Sequence, residues 1–376
     1  MPTYGGTSGG TSGGTSGGTS GGTSGGTSGG TSGGTSGQYK GKNVAHTESP
    51  ASPLMNAALL TVRDGITGYW NGAKTIEPRA IPGDEAYLDM LGLSGRASIL
   101  ESMLCSAVSV GTAEGQPEMR IHGEPLARLA RPDAGYFEKD LEWVRAYADL
   151  RGDRIEEIHL QLDDLLSFFG ALGYLGTSRR KYTLLMLDMA RRLAIHVEVI
   201  FKYMCRAPRP IDMAFEVQPM IQTPDHSSYP SGHSMESFAI ATVLHRLSTG
   251  QGPREGLRDG ALPFALAHRI AVNRTVAGVH FPVDSFAGAS IGCIVGDALH
   301  AFATGAAVTG GDIAVPALDA NGQTRDFLLP SLETLPEDRS VTPGALPVAA
   351  HLWGQAAAEW APVGGDGDGE STGESA

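Results

Sequence analysis

The sequence has few cysteines and fewer positive than negative charges. Three cysteines occur among 376 residues, at positions 105, 205 and 293. An odd number of widely spaced cysteines does not suit a disulfide framework, so a reducing compartment is expected. The formal net charge of −13 argues against nucleic acid or an anionic membrane surface as partner.

Long uncharged apolar runs are also lacking. The most apolar stretch, residues 285–306, is interrupted by Asp297 and His300, and residues 184–204 carry several charged side chains. Because a bilayer requires about 20 predominantly apolar residues, we expect no membrane span. No basic-then-apolar signal pattern is present, which predicts a cytoplasmic protein. Secretion stays an alternative if the N-terminal arm described next is artificial and has replaced a signal.

The two ends of the chain differ in composition from its middle. Residues 5–36 are eight Gly-Gly-Thr-Ser units, either a natural low-complexity arm or an artificial tether. They contain no apolar residue to bury and therefore predict a flexible coil. The expected organisation is a flexible arm (1–37), an N-terminal helical region packing on the bundle (38–150), a catalytic helical bundle (151–306), a C-terminal extended arm (307–363) and a disordered acidic tail (364–376).

Helical periodicity dominates the middle of the sequence. After Asp153, a good N-cap, apolar residues recur at three- and four-residue intervals as far as Phe169. Further helices are predicted over about 178–201, 231–250, 262–276 and 282–302. Strand patterns are sparse, with short runs near Gln222 and Ile313, and residues 111–125 are expected to be a loop. The predicted fold class is an all-α helical bundle with few short strands. The apolar segment 346–360 indicates a homo-oligomer.

The first motif combines two cations near a helix end. Lys202 lies at the end of a long predicted helix, and Arg209 lies between two prolines that restrict its backbone. Lysine supplies a point charge and arginine a planar fork, a common combination on oxyanions. An ordinary basic helix C-terminus is the alternative, and it suits Arg206 better than Arg209.

The second motif is Pro230-Ser231-Gly232-His233. A Ser-Gly pair that opens a helix presents a hydroxyl and backbone N–H groups to one point, where the helix dipole favours an anion. His233, one residue inside the helix, can exchange a proton there. Taken alone, this tetrapeptide is equally typical of a serine N-cap with an incidental histidine.

The third motif runs from Asn273 to Asp284. Gly278 is a natural helix stop between Arg274 and His280, so both side chains can converge across a turn. Asp284 lies four residues after His280 and can accept the other ring N–H, which fixes the tautomer. That arrangement suits a histidine that attacks phosphorus or ligates a metal. A surface His-Asp pair at helical spacing is the ordinary alternative.

Together, in this order, the motifs resemble the superfamily that unites type-2 phosphatidic acid phosphatases, bacterial acid phosphatases and vanadium-dependent haloperoxidases. Its pattern is Lys-x6-Arg-Pro, Pro-Ser-Gly-His and Ser-Arg-x5-His-x3-Asp. The resemblance covers residues 202–284 closely, and Asn273 stands where the pattern has serine. It implies the helical bundle of that superfamily.

The resemblance also implies roles for the motif residues. His280 would bond directly to phosphorus or, as the metal-binding residue, to vanadium; Asp284 would orient it, and His233 would be the general acid/base. The residues that would bind the oxyanion oxygens are Lys202, Arg209, Ser231, Gly232 and Arg274. A non-catalytic scaffold that stores phosphate would need neither histidine.

Two chemistries share this pattern. The first expectation is a haloperoxidase that binds vanadate and uses hydrogen peroxide to oxidise bromide or iodide, which then reacts with a small organic acceptor. His226 favours the haloperoxidase, because bromide-oxidising members of the superfamily also carry histidine at the matching position. Val199 argues against it, since it stands where well-known haloperoxidases have tryptophan. The alternative is a phosphatase that hydrolyses phosphomonoesters through a phosphohistidine and needs no cofactor.

Overall fold

The computed structural model describes residues 53–361 except 68, 79 and 81. The predicted arm (1–37), the start of the predicted N-terminal region and the predicted acidic tail (364–376) lie outside the described residues. The helices are α1 (Pro53–Val62), α2 (Asp84–Met90), α3 (Leu93–Ala107), α4 (Ala134–Tyr147), α5 (Arg151–Asp163), α6 (Leu166–Gly173), α7 (Lys181–Cys205), α8 (Pro210–Met213), α9 (Gly232–Thr249), α10 (Pro253–Arg258), α11 (Leu262–Val276), α12 (Pro282–Thr304) and α13 (Pro347–Ala358). The strands are β1 (Val108–Ala113), β2 (Gln116–Ile121), β3 (Glu124–Leu129), β4 (Val308–Gly310), β5 (Asp312–Ile313) and β6 (Arg339–Val341).

A helical bundle forms the core, and the predicted all-α class is confirmed. Helix α9 lies at its centre and packs against α7, α11 and α12. Most residues of α9 and α12 are buried. Both helices are therefore apolar on several faces, as expected of the central members of a bundle.

Glycines allow α12 to approach α9 closely. Gly288, Gly292 and Gly296 recur every fourth residue and lie on one face of α12. A methyl group at the first two positions would overlap the carbonyl oxygens of Ser231 and Met235. The absence of side chains therefore brings the first turn of α12 beside the first turn of α9, where the second and third motifs meet.

The helix predicted from Asp153 to Phe169 is two helices, α5 and α6. Helix α5 begins at Arg151, with Asp153 in its first turn, and ends before Asp164, whose backbone is extended. The Asp164 carboxylate accepts a hydrogen bond from Ser167 N (2.9 Å) and caps α6. The other predicted bundle helices are present, with ends that differ by a few residues.

The segment 111–125, predicted as a loop, is part of a β-meander. Strands β1, β2 and β3 pair antiparallel, and β3 pairs parallel with β5. The strand expected near Ile313 is present, whereas Gln222 lies in an irregular segment. The region before the bundle is therefore not purely helical.

The C-terminal segment is only partly extended. Its apolar part forms α13, which packs against α7 and α12. Leu352 and Ala356 are fully buried within this chain. The apolar residues that suggested an oligomer are thus used inside the chain and give no evidence for one.

Candidate active site

The three motifs converge on one buried site. Arg209 Nη1 lies 3.1 Å from His280 Nε2, which joins the first motif to the third. Ser231 N donates to the Asp284 carbonyl oxygen at 2.9 Å, which joins the second to the third. Six motif residues are each less than 5% exposed: Lys202, Arg209, Ser231, Arg274, His280 and Asp284. Residues separated by up to 82 positions therefore share one interior site.

The His280 ring has different partners on its two nitrogens. Nδ1 lies 3.0 Å from Asp284 Oδ2, and the same oxygen accepts the backbone N–H of Phe281 at 2.9 Å. On the other side, the Arg209 guanidinium can only donate, so Nε2 is the acceptor. These contacts select the tautomer with hydrogen on Nδ1 and leave the lone pair of Nε2 towards the pocket.

Arg209 also brings His226 to the site. Its Nε donates to the His226 carbonyl oxygen at 3.0 Å, and its Nη2 lies 3.1 Å from His226 Nδ1. Nη1 donates to the Val279 carbonyl oxygen at 2.8 Å. The guanidinium is thus held between the loop that carries His226 and the turn that carries His280.

Lys202 is directed at the same loop. Its Nζ donates to the carbonyl oxygens of Ser227 at 3.0 Å and Ser228 at 3.3 Å. Helix α7 ends three residues later because Arg206 adopts a left-handed backbone conformation. The chain can then turn and present Arg209 beside Lys202.

Gln161 of α5 is a site residue that the motifs do not include. Its side-chain oxygen accepts from Arg274 Nη2 at 2.6 Å, and its carbonyl oxygen lies 3.2 Å from His233 Nε2. Because a carbonyl only accepts, Nε2 of His233 carries the hydrogen and Nδ1 holds the lone pair. One glutamine therefore positions both the cation and the expected acid/base.

Asn273, the departure from the pattern, cross-links α11 to α5. Its amide nitrogen donates to Glu157 at 2.8 Å and to Gln161 at 3.1 Å, and its oxygen accepts from Arg154 at 2.9 Å. A serine side chain is too short to make all three contacts. Asparagine therefore supports Gln161 and, through it, Arg274.

Burial sets the electrostatics of the site. It lowers the pKa of Lys202 to about 8, that of Arg274 to about 9 and that of Arg209 to about 10. Burial and the neighbouring cations also lower the pKa of His233 and of His280 well below the usual value. Both imidazoles are therefore neutral at pH 7, and an anion among these cations would be stabilised strongly.

The polar groups of this site fit a tetrahedral oxyanion. Among the described residues, Ser231 Oγ and two nitrogens of Arg274 (Nε and Nη1) are buried without a hydrogen-bond partner. Gly232, at the first turn of α9, has no side chain to obstruct the helix N-terminus. This donor set suits phosphate and vanadate equally, because both present four oxygens to it.

A cavity of about 560 Å³ leads from the surface to Lys202 and Arg209. His226 and Val199 line it, and Tyr203, 71% exposed, stands at its mouth. His280, His233 and Arg274 do not line this cavity. A substrate that enters this cavity therefore meets Lys202 and Arg209 first, and Arg209 in turn contacts His280.

Comparisons with known proteins concern mainly the bundle. Residues 182–306 match the model of the PAP2 superfamily. Over 125 residues the chain is 30% identical to "Decaprenylphosphoryl-5-phosphoribose phosphatase" from two strains of Mycobacterium tuberculosis, CDC 1551 / Oshkosh and ATCC 25618 / H37Rv. That alignment covers 33% of this chain and 64% of the relative.

A solved structure is also similar. It is a transmembrane PAP2 type phosphatidylglycerolphosphate phosphatase from Bacillus subtilis, with 17% identity and a TM-score of 0.35. The similarity covers 55% of this chain and 93% of the other.

The expected cytoplasmic location is contradicted, because the lack of a signal pattern, on which it depended, does not exclude a membrane protein, and α12 is a candidate span. The expected lack of a membrane span is not confirmed. Within residues 53–361, α12 is long and apolar enough to span a membrane by length and composition, and 83% of its most apolar window is buried in the fold. Asp297, which had argued against a span, is paired with Arg246 at 2.8 Å. A charge compensated in this way does not exclude an apolar helix.

The matched region contains all three motifs and every residue that they contribute to the site. The phosphatase found by sequence comparison agrees with the superfamily that the motifs resemble. Residues 182–306 of this chain therefore form a PAP2 superfamily domain.

Proposed function

We propose that this protein is a phosphatase that hydrolyses phosphomonoesters through a phosphohistidine on His280. The observation that carries the proposal is the pair of contacts on the His280 ring, with Nδ1 towards Asp284 and Nε2 towards the cation Arg209. The relatives found by comparison are phosphatases, which supports this reaction over halide oxidation.

Substrate binding would use the unpartnered donors of the site. Phosphoryl oxygens would accept from Ser231 Oγ, from Arg274 and from the N–H groups at the start of α9. Arg209 would move its Nη1 hydrogen bond from His280 to a phosphoryl oxygen. That shift frees the Nε2 lone pair at the moment when phosphorus comes within reach.

In the first chemical step, Nε2 of His280 attacks phosphorus and the ester P–O bond breaks. The leaving oxygen takes a proton from His233, while the hydrogen on Nδ1 of His280 stays hydrogen-bonded to the Asp284 carboxylate. His233 is neutral in the free site, so it must be protonated when the phosphoester binds. The negative charge of the substrate favours that protonation.

In the second step, His233 removes a proton from water and the oxygen attacks phosphorus. The P–N bond breaks, inorganic phosphate is released, and His280 recovers its lone pair. Lys202, Arg209 and Arg274 would stabilise the charge on the equatorial oxygens in both steps.

A vanadate-dependent haloperoxidase is the second candidate. His226 favours it, since its ring contacts Arg209 in the cavity that leads to the site. Vanadate would be held by the same donors and by His280, and it would activate hydrogen peroxide for halide oxidation. Val199 lines the same cavity and does not resemble the tryptophan of well-known haloperoxidases.

Two assays on the purified protein separate the candidates. Hydrolysis of p-nitrophenyl phosphate without vanadate, inhibited by added vanadate, is expected of the phosphatase. Bromination with peroxide after vanadate loading, without ester hydrolysis, would contradict the proposal. Quenching with alkaline detergent after reaction with an ester ³²P-labelled on phosphorus should trap a phosphoprotein that is stable in base and labile in acid.

The histidine variants test the assigned roles. His280→Ala should abolish hydrolysis and the labelled intermediate, whereas His233→Ala should slow turnover by about 10²–10⁴-fold with substrate binding retained. His159→Ala, at an exposed position of α5, is the matched control and should leave both unchanged. A labelled His280→Ala protein would refute the phosphohistidine.

A further inference from the structure

Glu198 is a buried carboxylate that the motifs and the proposed mechanism leave unused. It lies one helical turn before Lys202 on α7, and its side chain packs directly against Gly232. A methyl group at Gly232 would overlap the Glu198 carboxylate. Glu198 is 8% exposed, and its Oε2 has no hydrogen-bond partner among the described residues. A carboxyl group therefore lies directly beside Gly232, the first residue of the helix whose N-terminus would receive an oxyanion.

Charged groups surround Glu198 on several elements. Lys202 on its own helix and Arg209 after it are the cations that act on it most strongly. Glu236 lies one turn into α9, and burial and the charge of Glu198 raise its pKa. Its Oε2 lies 4.0 Å from Nη1 of Arg191 on α7. Asp284 on α12 faces the same two cations, Lys202 and Arg209.

Two carboxylates and an oxyanion would place three like-charged groups close together in this interior. Burial raises the pKa of Glu198, and burial together with the Glu198 charge raises the pKa of Glu236 to about 8. An oxyanion beside Gly232 would add a further negative charge next to Glu198 and favour its protonated form. A protonated carboxyl is a hydrogen-bond donor, whereas a carboxylate is only an acceptor.

We propose that Glu198 is a further oxyanion-binding residue, which takes up a proton when the oxyanion binds and donates that O–H to one of its oxygens. The proposal rests on the proposed function only in requiring a tetrahedral oxyanion in this site. Its consequence is a pH dependence. Binding is strongest where Glu198 is protonated and weakens by up to tenfold per pH unit once the pH exceeds its pKa.

Sulfate is the suitable probe, because it stays a dianion between pH 5 and 9 and does not react. Isothermal titration calorimetry of the full chain in buffers of different ionisation enthalpy gives both the dissociation constant and the number of protons taken up. Glu198→Gln, which keeps the size and one N–H donor group, should take up one proton fewer than the wild type at pH 8. Above the pKa of Glu198, the sulfate dissociation constant of the wild type should rise by up to tenfold per pH unit more than that of Glu198→Gln.

Two variants control this measurement. Glu236→Gln removes the second buried carboxyl group of this region, whose pKa burial and the Glu198 charge raise, and should keep the sulfate-linked proton uptake that Glu198→Gln loses. Glu156→Gln, at an exposed position of α5, should behave as the wild type. If Glu198→Gln does not fold, as judged by thermal unfolding, the proton uptake of Glu236→Gln decides whether the proton goes to Glu198 or to Glu236.

The outcomes are distinguishable. Equal proton uptake by Glu198→Gln and the wild type, or loss of that uptake in Glu236→Gln, would overturn the role of Glu198 and leave the phosphatase proposal intact. A wild type that binds no sulfate at any pH would overturn the oxyanion site and both proposals with it.

Discussion

The contacts of Asp284 predict an unusual result for Asp284→Asn. Oδ2 accepts two donors, the Nδ1 hydrogen of His280 and the backbone N–H of Phe281. An asparagine that places its oxygen at the Oδ2 position satisfies both. The opposite orientation would set its NH₂ group against two donors, at about 1–3 kcal/mol for each lost partner. Phe281 N therefore fixes the orientation of the asparagine, and the tautomer of His280 is kept.

The expected loss in turnover is consequently small. With the tautomer preserved, the variant loses only the charge of the carboxylate, and a charge-assisted hydrogen bond becomes a neutral one. That difference is about 1–1.5 kcal/mol, or roughly 5–15-fold in rate. A reversed tautomer would instead cost about 10⁴-fold, as it does in serine protease triads. The two outcomes differ by about three orders of magnitude.

The assay is the saturated rate of phosphomonoester hydrolysis for the wild type, Asp284→Asn and Asp284→Ala. The alanine variant removes the acceptor altogether and should lose about 10²-fold or more. Nitrogen-15 NMR of the His280 ring should show hydrogen on Nδ1 in both the wild type and Asp284→Asn. If Asp284→Asn falls as far as the alanine variant, or its ring signals report hydrogen on Nε2, the argument from Phe281 is refuted.

Two more predictions concern the cations. Gln161→Leu removes the acceptor of Arg274 Nη2. A hydrogen bond to a charged group contributes about 1.5–3 kcal/mol, so the KM for a phosphomonoester should rise about 10–100-fold. An unchanged KM in steady-state kinetics would contradict this prediction. Lys202 has a pKa of about 8 against an ordinary 10.5, so the unfolded chain binds more protons between these values and stability should rise with pH across this window. Lys202→Met should lose this rise in anion-free thermal unfolding scans, and identical pH slopes would be evidence against it.

The bundle and the motif residues could be predicted because their signals are local. Helical periodicity, Gly278 as a helix stop and the four-residue spacing from His280 to Asp284 each act within one or two turns. The β-meander was missed because its strands contain Pro117 and Pro125 and a buried glutamate, Glu118. Glu118 is compensated by arginines, among them Arg339, 221 positions away, and no local pattern reveals such a partner.

Gln161 and Glu198 were missed for the same reason. Gln161 is an ordinary polar helix residue until α5 packs beside α11 and brings it to Arg274, 113 positions away. Nothing in the sequence distinguishes Glu198 from the other charged residues of α7. Only its contact with Gly232 in the folded chain places it at the oxyanion site. Supporting residues of this kind depend on tertiary packing rather than on spacing.

The choice between ester hydrolysis and halide oxidation must likewise depend on residues outside the motifs. Both reactions need the same cations, the same helix N-terminus and a histidine with a free Nε2, so the shared motifs cannot discriminate between them. The two reactions differ in the reactant that reaches His280 and in which groups beside the bound anion carry a proton. Val199 and His226 line the route to the site, and Glu198 lies against the helix that would bind the anion. Exchanging these three side chains, with the motifs unchanged, is therefore the change most capable of altering the reaction.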